Sequence, residues 1–176
     1  MNDKILLVGS GGSLIDSNLG ELIDNFDGKV ARFNGYKTKD YEKDVGSRCD
    51  VWIMNPRLYH NTCFHEEFEY ATGLKLTEKQ IEMFEGEILV GGYWRYWGKS
   101  AESGSMEEAL EWHNAKTIDK IIIKGLFESL NNYCYCCERE HRRYATTGLE
   151  SILHYISQGF KVYLIGFDST NSKLIE

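Results

Sequence analysis

The sequence predicts an α/β fold in which a mostly parallel sheet carries helices on both faces. Several short, evenly apolar runs have the length and composition of buried strands rather than of surface helices. Helix-start signals and apolar stripes at helical spacing lie between these runs, and strands that alternate with helices are typical of a covered parallel sheet. The five predicted strands are Lys4–Gly9, Val30–Phe33, Val51–Met54, Glu87–Val90 and Lys161–Ile165.

Three predicted helices begin with a hydroxyl residue that is followed three residues later by Glu or Gln, the pattern of a capping box. These hydroxyl residues are Thr77, Ser105 and Thr147. Gly159 suits the position just past the end of the third helix. Apolar residues at helical spacing predict that this helix buries one face, made of Leu149, Ile152, Leu153 and Ile156. A fourth helix is predicted over the stripe Ile118, Ile121, Ile122, Leu126 and Phe127, whereas residues 57–72 receive no assignment.

Length and composition restrict the class of protein. A chain of 176 residues with a 42% hydrophobic fraction predicts one folded domain, residues 1–176, and excludes a disordered chain. No segment approaches the roughly 20 apolar residues that a membrane span needs. The net charge of -7 argues against nucleic acid as a partner. Five cysteines without framework spacing, and a start that does not resemble a signal peptide, predict free thiols and a cytoplasmic location.

A glycine-rich turn follows the first predicted strand and precedes a helical pattern that contains Leu19, Leu22, Ile23 and Phe26. Glycines allow the backbone to approach a phosphate closely, and a following helix adds N–H groups and a positive dipole end. The turn matches neither GxGxxG nor a Walker loop. The sequence alone leaves two interpretations open: a phosphate site, or a strand-to-helix turn that binds nothing. The residues of the turn are Gly9, Ser10, Gly11, Gly12 and Ser13.

A second helix start places Thr146, Thr147 and Gly148 just after two arginines, Arg142 and Arg143. Hydroxyl and free N–H groups at a helix N-terminus can bind an anionic oxygen, and an arginine can add further donors. A plain N-cap with solvated arginines would leave the same pattern. Neither this helix start nor the glycine-rich turn identifies a ligand on its own.

Two segments of the chain resemble the conserved motifs of sialyltransferases. Residues 5–55 resemble the large donor-binding motif, through the Gly/Ser turn and through the segments Gly20–Asp24, Arg32–Asn34 and Tyr41–Gly46. Residues 144–168 resemble the shorter second motif, which has a hydroxyl-hydroxyl-Gly helix start and then a strand that ends in Gly-Phe-Asp. The motifs occur in the family's order, and Asn55-Pro56 resembles the bacterial branch of these enzymes.

The resemblance implies a Rossmann-like variant of the GT-A fold and a glycosyltransferase that moves sialic acid, or a related sugar, from a CMP donor to a hydroxyl of a glycan acceptor. It implies that no metal or other cofactor is needed. The sequence agrees, because it has no Asp-x-Asp after a strand, the motif with which other nucleotide-sugar transferases bind a metal and a diphosphate. The implied CMP-sugar contacts are Gly9, Ser10, Gly11, Gly12 and Ser13 around the nucleotide, Asn34 and Asn55 on the phosphate or cytidine, and Thr146, Thr147 and Gly148 on the other side. Ser10 stands where the family often has Asn, and serine has a shorter reach.

The resemblance assigns no catalytic residue. Family members carry essential histidines after the second motif, whereas the five histidines of this sequence all precede Asp168. A nucleotide-binding fragment or a degenerate relative without transfer activity is therefore the alternative function, and we expect this chain to bind the donor but to transfer the sugar slowly. We interpret His154 as a partly buried structural residue. The histidines are His60, His65, His113, His141 and His154.

Two further clusters have a functional and a structural interpretation. Cys134, Cys136, Cys137 and His141 could form half of a zinc site with His60, Cys63 and His65, but their spacing matches no common zinc module. We therefore predict no metal site, because free cysteines are often small buried apolar residues. The run Tyr93–Trp97 could stack on a base or sugar, or it could pack as an aromatic cluster.

Overall fold

A six-stranded parallel sheet forms the centre of the molecule. The computed structural model describes residues 3–64, 68–69, 75–91, 109–118 and 146–168. The strands are β1 (Lys4–Val8), β2 (Lys29–Phe33), β3 (Val51–Met54), β4 (Phe68–Glu69), β5 (Lys75–Leu76), β6 (Glu87–Val90), β7 (Lys116–Thr117) and β8 (Lys161–Ile165). The sheet has the order β7-β6-β3-β2-β1-β8, and a separate antiparallel pair is formed by β4 and β5.

The five predicted strands are confirmed, and each differs from its predicted bounds by at most one residue at either end. Two-residue strands were not predicted because so short a segment carries no period-2 pattern. Ile118 follows β7 directly, and its N–H donates to the Val90 carbonyl at 3.1 Å, so the ladder with β6 continues through it. The predicted helix is therefore wrong at Ile118, and its other stripe residues lie outside the described part of the chain.

The helices that the structure describes are mostly short, and α5 is the longest of the labelled helices. They are α1 (Gly20–Asp24), α2 (Glu42–Val45), α3 (Pro56–Phe64), α4 (Glu78–Glu82) and α5 (Thr147–Ser157), with a 3-10 turn at Gly12–Leu14 and a helical segment at 109–112. At the start of α4, the Gln80 side chain accepts a hydrogen bond from the Thr77 N–H at 2.8 Å, so the predicted capping box is confirmed. Ser105 lies outside the described residues.

The predicted N-cap of α5 is off by one residue. Thr146 is the N-cap, and its hydroxyl accepts a hydrogen bond from the Leu149 N–H at 3.3 Å. At the other end, Gly159 has a φ of +83° and the Phe160 N–H donates to the Tyr155 carbonyl, which satisfies one of the last helix carbonyls. The predicted C-terminal glycine is therefore confirmed.

The buried face of α5 overlaps the predicted one only in part. Leu149 and Ile156 are 38% and 54% exposed, although both belong to the predicted apolar stripe. The residues that α5 buries are instead Glu150, Ser151, His154 and Tyr155. Tyr155 packs against apolar residues of β1, β2 and β3, and Ile152 of the predicted stripe packs, half-buried, against the same core. The buried face is therefore rotated from the predicted stripe and keeps part of it.

Helices cover both faces of the sheet, as predicted. One face packs Tyr155 of α5 against Ile5, Leu7, Ala31, Phe33, Val51, Ile53 and Leu89. The opposite face packs α3 and α4 against Trp52, Met54, Ile88 and Val90, and packs α1 and α2 against Leu6, Val8 and Val30. Alternate residues of each strand thus belong to different cores. Among the helices that the structure describes, none is long and apolar enough to cross a bilayer.

Candidate functional site

The strand order identifies the edge of the sheet at which a ligand-binding crevice is expected. From β1 the chain adds β2, β3, β6 and β7 on one side, and it returns to add β8 on the other side of β1. The order of strands therefore reverses between β1 and β8. In parallel α/β sheets, ligands bind outside the carboxyl ends of the strands at such a reversal. The glycine-rich turn follows β1 at this edge, and Gly166, Phe167 and Asp168 follow β8.

Several N–H groups of the glycine-rich turn are already engaged. The Gly9 N–H donates to the Ile165 carbonyl at 2.8 Å, and the Gly11 N–H donates to the Gly166 carbonyl at 2.9 Å. These two bonds continue the pairing of β1 with β8 beyond the strands. In the part of the chain that the structure describes, the N–H groups of Ser10 and Gly12 form no hydrogen bond. Of the glycine-rich turn, these two are the N–H groups open to a ligand.

Asp168 binds the far end of the turn. Its carboxylate accepts a hydrogen bond from the Ser13 N–H at 2.8 Å and a second from the Ser13 hydroxyl. Gly11 makes the approach possible, because a β-carbon on that residue would lie 2.4 Å from the carboxyl carbon of Asp168. The carboxylate of Asp168 therefore lies at the turn that the sequence predicted as a phosphate site.

Phe167 joins the two segments that carry the sequence motifs. Its ring lies 3.3 Å from where a β-carbon of Gly9 would stand and 3.0 Å from the corresponding position of Gly148. The ring also meets Phe33 edge-on, with the ring centroids 5.6 Å apart. The glycine-rich turn and the start of α5 are thus neighbours across one aromatic ring, although the two segments are far apart in sequence.

Asn34 and Asn55 continue the same edge beyond β2 and β3. The side-chain oxygen of Asn34 accepts a hydrogen bond from the Asn55 N–H at 2.8 Å, while its own backbone has a φ of +49°. Within the described part of the chain, the Asn34 NH₂ group has no hydrogen-bond partner, and it is the side-chain donor that β2 brings to this edge. Asn55 caps α3, because its side-chain oxygen accepts from the Arg57 N–H at 2.9 Å.

The start of α5 contributes the other predicted contacts. The Thr146 hydroxyl is the helix cap, so it is already engaged. The N–H groups of Thr147 and Gly148 belong to the first turn, where an α-helix has no internal acceptor for them. The structure brings all ten predicted contact residues, those of the turn, Asn34, Asn55 and the α5 start, to one edge of the sheet. That these residues bind a nucleotide stays a prediction.

One expectation about this edge is confirmed only in part. The sequence predicted that the helix with Leu19, Leu22, Ile23 and Phe26 would follow the glycine-rich turn and aim its dipole at a phosphate, and α1 does include Leu22 and Ile23. The structure has a 3-10 turn there, and α1 begins only at Gly20 and is five residues long. Asp16 and Asn18 both have positive φ, which ends the 3-10 turn and redirects the chain. The helix dipole at this site therefore comes from α5.

Several polar residues of the large motif stabilise loops of the fold and are not contacts of the crevice. The Asp24 carboxylate accepts hydrogen bonds from the N–H groups of Ser47 and Arg48, both at 2.8 Å. The Asp44 carboxylate binds the backbone N–H groups of Asp16 and Asn18. The Arg32 guanidinium is buried, and burial lowers its pKa. These residues fix the loops that surround β2, so their presence in a motif does not make them ligand contacts.

Phe167 and Asp168 are not among the contact residues that the sequence predicted. Both follow β8, so the rule that pointed to Gly9–Ser13 could have found them as well.

Other residues that the sequence singled out lie away from this edge or outside the described residues. Burial raises the pKa of the Cys63 thiol to about 12, and His154 is buried in α5 as predicted. His113 lies at the opposite edge of the sheet, beside a cavity of about 470 Å³. Tyr93–Trp97, Arg142, Arg143, His65, Cys134, Cys136, Cys137 and His141 lie outside the described residues.

A parallel sheet with a glycine-rich turn at its strand reversal is the architecture of a nucleotide-binding α/β domain. The sequence pattern of "Glycosyltransferase family 29 (sialyltransferase)" matches residues 4–173. The chain belongs to this family. The predicted family resemblance and the Rossmann-like, mostly parallel sheet are therefore confirmed.

Individual relatives match over a shorter stretch. Beta-galactoside alpha-2,6-sialyltransferase 2 of Bos taurus is 44% identical over 59 residues, which are 34% of this chain and 12% of that protein. Beta-galactoside alpha-2,6-sialyltransferase 1 of Mus musculus is 44% identical over 55 residues, 31% of this chain and 13% of that protein. A solved mammalian sialyltransferase shares the fold with a TM-score of 0.55 and 20% identity, covering 99% of this chain and 58% of that one.

Proposed function

We propose that the chain is a metal-independent sialyltransferase-type glycosyltransferase, which binds a CMP-sugar in the crevice between the glycine-rich turn and the start of α5. The observation that carries this proposal is the meeting of the two motif segments at the strand reversal, across the ring of Phe167. Family membership supports the same donor. The glycan acceptor is the second proposed partner. One of the solved sialyltransferases is a complex with Gal-beta-1-3GalNAc-ortho-nitrophenol.

The geometry suggests a role for each group. In the proposed reaction an acceptor hydroxyl oxygen attacks the anomeric carbon of the sugar, and the bond from that carbon to the CMP phosphate breaks. The phosphate leaves with the electron pair, while a base takes the acceptor proton. The first N–H groups of α5 and the Asn34 NH₂ group would bind the phosphate oxygens as their charge grows, which is electrostatic preorganisation. Ser10 and Gly12 would contribute N–H groups from the turn.

Binding of CMP to the Asn34→Asp variant tests the site. Aspartate keeps the oxygen that accepts from the Asn55 N–H and tolerates the positive φ, but it replaces the NH₂ donor with a second acceptor. Loss of a hydrogen bond to a charged group should weaken CMP binding roughly tenfold or more. Asn25→Asp is the matched control, because Asn25 is exposed at the end of α1 and the charge change is the same.

Calorimetric titration of the wild type and both variants gives the comparison. Tight CMP binding by wild type and Asn25→Asp, with weak binding by Asn34→Asp, supports the proposed site. Equal affinity in all three folded proteins removes Asn34 from the site. A wild-type protein that binds no CMP contradicts the proposed function as a whole. Binding of CMP without release of CMP in the presence of donor and acceptor would instead favour the alternative, a nucleotide-binding protein without transfer activity.

We also propose a cytoplasmic location. The support is chemical: Cys49 and Cys63 are free thiols, and burial raises the pKa of both, so neither is poised as a thiolate. Thiol titration of the denatured protein, taken from its own cell without reduction, tests this proposal. Five titratable thiols are expected from the sequence, and a lower count would contradict a reducing location.

A further inference from the structure

We propose that a cavity at the amino ends of the parallel strands binds a small aliphatic diamine, through the carboxylates of Glu78 and Glu82 and the ring of Trp112. We call it the α4 cavity, because both glutamates belong to that helix, and its volume is about 470 Å³. Gly86 also lines the cavity and directly precedes β6. The candidate crevice lies at the carboxyl ends of the strands, so this inference concerns a separate site and does not rest on the proposed function.

Contacts with the core fix the walls of the α4 cavity. The ring of Phe84 meets the Trp52 ring edge-on, with the centroids 5.5 Å apart. The ring of His113 meets the buried Tyr59 ring in the same way, at 6.1 Å. The buried side chain of Ile81 also lines the cavity. Binding sites for small molecules are usually formed in advance and have volumes of roughly 300–1,000 Å³, so the α4 cavity has the size and the wall packing of such a site.

The charge of the cavity is negative and uncompensated. Glu78 and Glu82 stand four positions apart in α4, so they lie on the same side of the helix, and both line the cavity. In the part of the chain that the structure describes, neither carboxylate forms a hydrogen bond or an ion pair. Lys29 and Lys116 bind Glu87 instead. Two like charges at this spacing repel each other, and a cation bound between them would remove that repulsion.

The remaining lining distinguishes among cations. Trp112 is 57% exposed, and the face of an indole ring attracts an ammonium group. Among the described residues, no group of three or more His, Cys, Asp or Glu side chains could hold a metal ion. A diamine fits better, because its two ammonium groups match two carboxylates and its methylene chain can pack on the rings of Trp112 and Phe84. Side chains four apart on a helix begin about 5–6 Å from each other, which a short carbon chain can span.

Calorimetric titration with putrescine, a four-carbon diamine, tests the inference, and butanediol is the uncharged probe with the same carbon chain. Wild type should bind putrescine and should not bind butanediol. Glu78→Gln and Glu82→Gln should each weaken putrescine binding about fivefold, the upper value for an exposed ion pair. Trp112→Leu keeps an apolar side chain but removes the ring, so it should weaken binding roughly threefold.

Glu85→Gln is the matched control, because it makes the same charge change at an exposed glutamate that does not line the cavity. Its affinity for putrescine should equal that of wild type. Wild type that binds no putrescine, or that binds butanediol equally well, overturns the inference. Unchanged affinity in both Glu78→Gln and Glu82→Gln overturns it as well. An equal loss in Glu85→Gln does the same, because that result would reflect net charge alone.

An NMR titration with putrescine tests where the diamine binds. The signals of the Trp112 indole N–H and the Gly86 amide should shift, while those of the Ser10 and Gly12 amides in the crevice should stay in place. The opposite pattern overturns the placement. Calcium chloride or galactose that shifts the Trp112 and Gly86 signals at lower concentration than putrescine overturns the class of ligand. A protein that binds putrescine in this way but binds no CMP would contradict the proposed function and leave the diamine site established.

Discussion

The α-carbon of Gly20 lies against the backbone carbonyl of Glu42, so close that a β-carbon on Gly20 would stand 1.9 Å from the Glu42 oxygen. This contact packs α1 onto α2, and both helices cover the same face of the sheet. Because the atom that a side chain would meet belongs to the backbone, it cannot rotate away. A methyl group at residue 20 requires the two helices to separate.

We therefore predict that Gly20→Ala lowers the free energy of unfolding by about 1–3 kcal/mol, the cost of overpacking a closely packed contact. Leu22→Ala in the same helix is the control. Leu22 is 58% exposed, so its truncation should change stability by no more than about 0.5 kcal/mol. Urea unfolding of the three proteins measures both values, and equal stability of Gly20→Ala and wild type would show that the helices adjust freely.

The cap of α3 gives a second prediction. Asn55 accepts a hydrogen bond from the Arg57 N–H at 2.9 Å, and Pro56 occupies the first helical position. Asn55→Ala should lower the free energy of unfolding by about 1 kcal/mol, because an N–H of the first turn loses its partner. Asn55→Asp keeps an acceptor oxygen and should retain most of that stability. Thermal unfolding followed by circular dichroism distinguishes the two, and similar losses in both variants would assign the effect to something other than capping.

Two buried tyrosines give a third prediction, since their hydroxyl groups differ in one respect. The Tyr59 hydroxyl donates to the Ala109 carbonyl at 2.7 Å. The Tyr155 hydroxyl is buried without a hydrogen-bond partner in the described part of the chain, and burial raises the pKa of Tyr155. A buried hydroxyl without a partner costs about 1–3 kcal/mol.

Tyr155→Phe should therefore leave the free energy of unfolding unchanged or raise it, by up to about 1 kcal/mol. Tyr59→Phe should lower it by about 0.5–1.5 kcal/mol, because the Ala109 carbonyl loses its donor. Chemical denaturation of both variants gives the comparison. A large loss of stability in Tyr155→Phe would reveal a partner for its hydroxyl.

The pH dependence of stability supplies a fourth prediction. Burial alone would raise the pKa of Glu87. Its hydrogen bonds to Lys29 and Lys116, together with the charges of these lysines, outweigh burial, so the pKa lies below the usual value. The lysine nitrogens stand 2.9 and 3.0 Å from its carboxylate oxygens. A carboxyl whose pKa is lowered by folding contributes stability above the pKa of the unfolded state, and this contribution disappears as the pH falls through the folded-state value.

Glu87→Gln should accordingly be less stable than wild type by about 0.5–1 kcal/mol at pH 7, since the pairs are partly exposed. The difference should shrink as the pH falls below about 4.3, the usual pKa of an unfolded glutamate. Glu21→Gln, which changes an exposed carboxyl of α1, serves as the control at each pH. A gap between wild type and Glu87→Gln that stays constant down to pH 2 would contradict the assignment.

The sequence predicted five of the six strands of the central sheet well, because each of the five is a mostly apolar run in a sheet that helices cover on both faces. It predicted the face of α5 only in part. Leu149 and Ile156 follow the helical period but are exposed, whereas Tyr155, with Ile152 beside it, packs against the sheet. Helical periodicity shows which residues share a face, and it does not show which face the rest of the chain covers.

The candidate site was predictable only in part. Glycines and hydroxyls at strand and helix ends pointed to Gly9–Ser13 and Thr146–Gly148, because such residues suit close backbone approach. The engagement of the Gly9 and Gly11 N–H groups could not be predicted, since it depends on β8 lying beside β1. The contact between Asp168 and Ser13 depends on the same pairing, and no local pattern reports a contact across 155 residues.

The position of β8 has a consequence for how the protein is made. During synthesis the glycine-rich turn and Asn34 emerge early, but Phe167 and Asp168 emerge only after β1, β2, β3 and β6 have been translated. Closing so long a loop is slow in comparison with local folding. The crevice therefore forms as a late event, when β8 takes its place beside β1. A nascent chain from which residue 168 has not yet emerged has its central strands but no completed crevice, and the proposed donor site is assembled only when β8 is added.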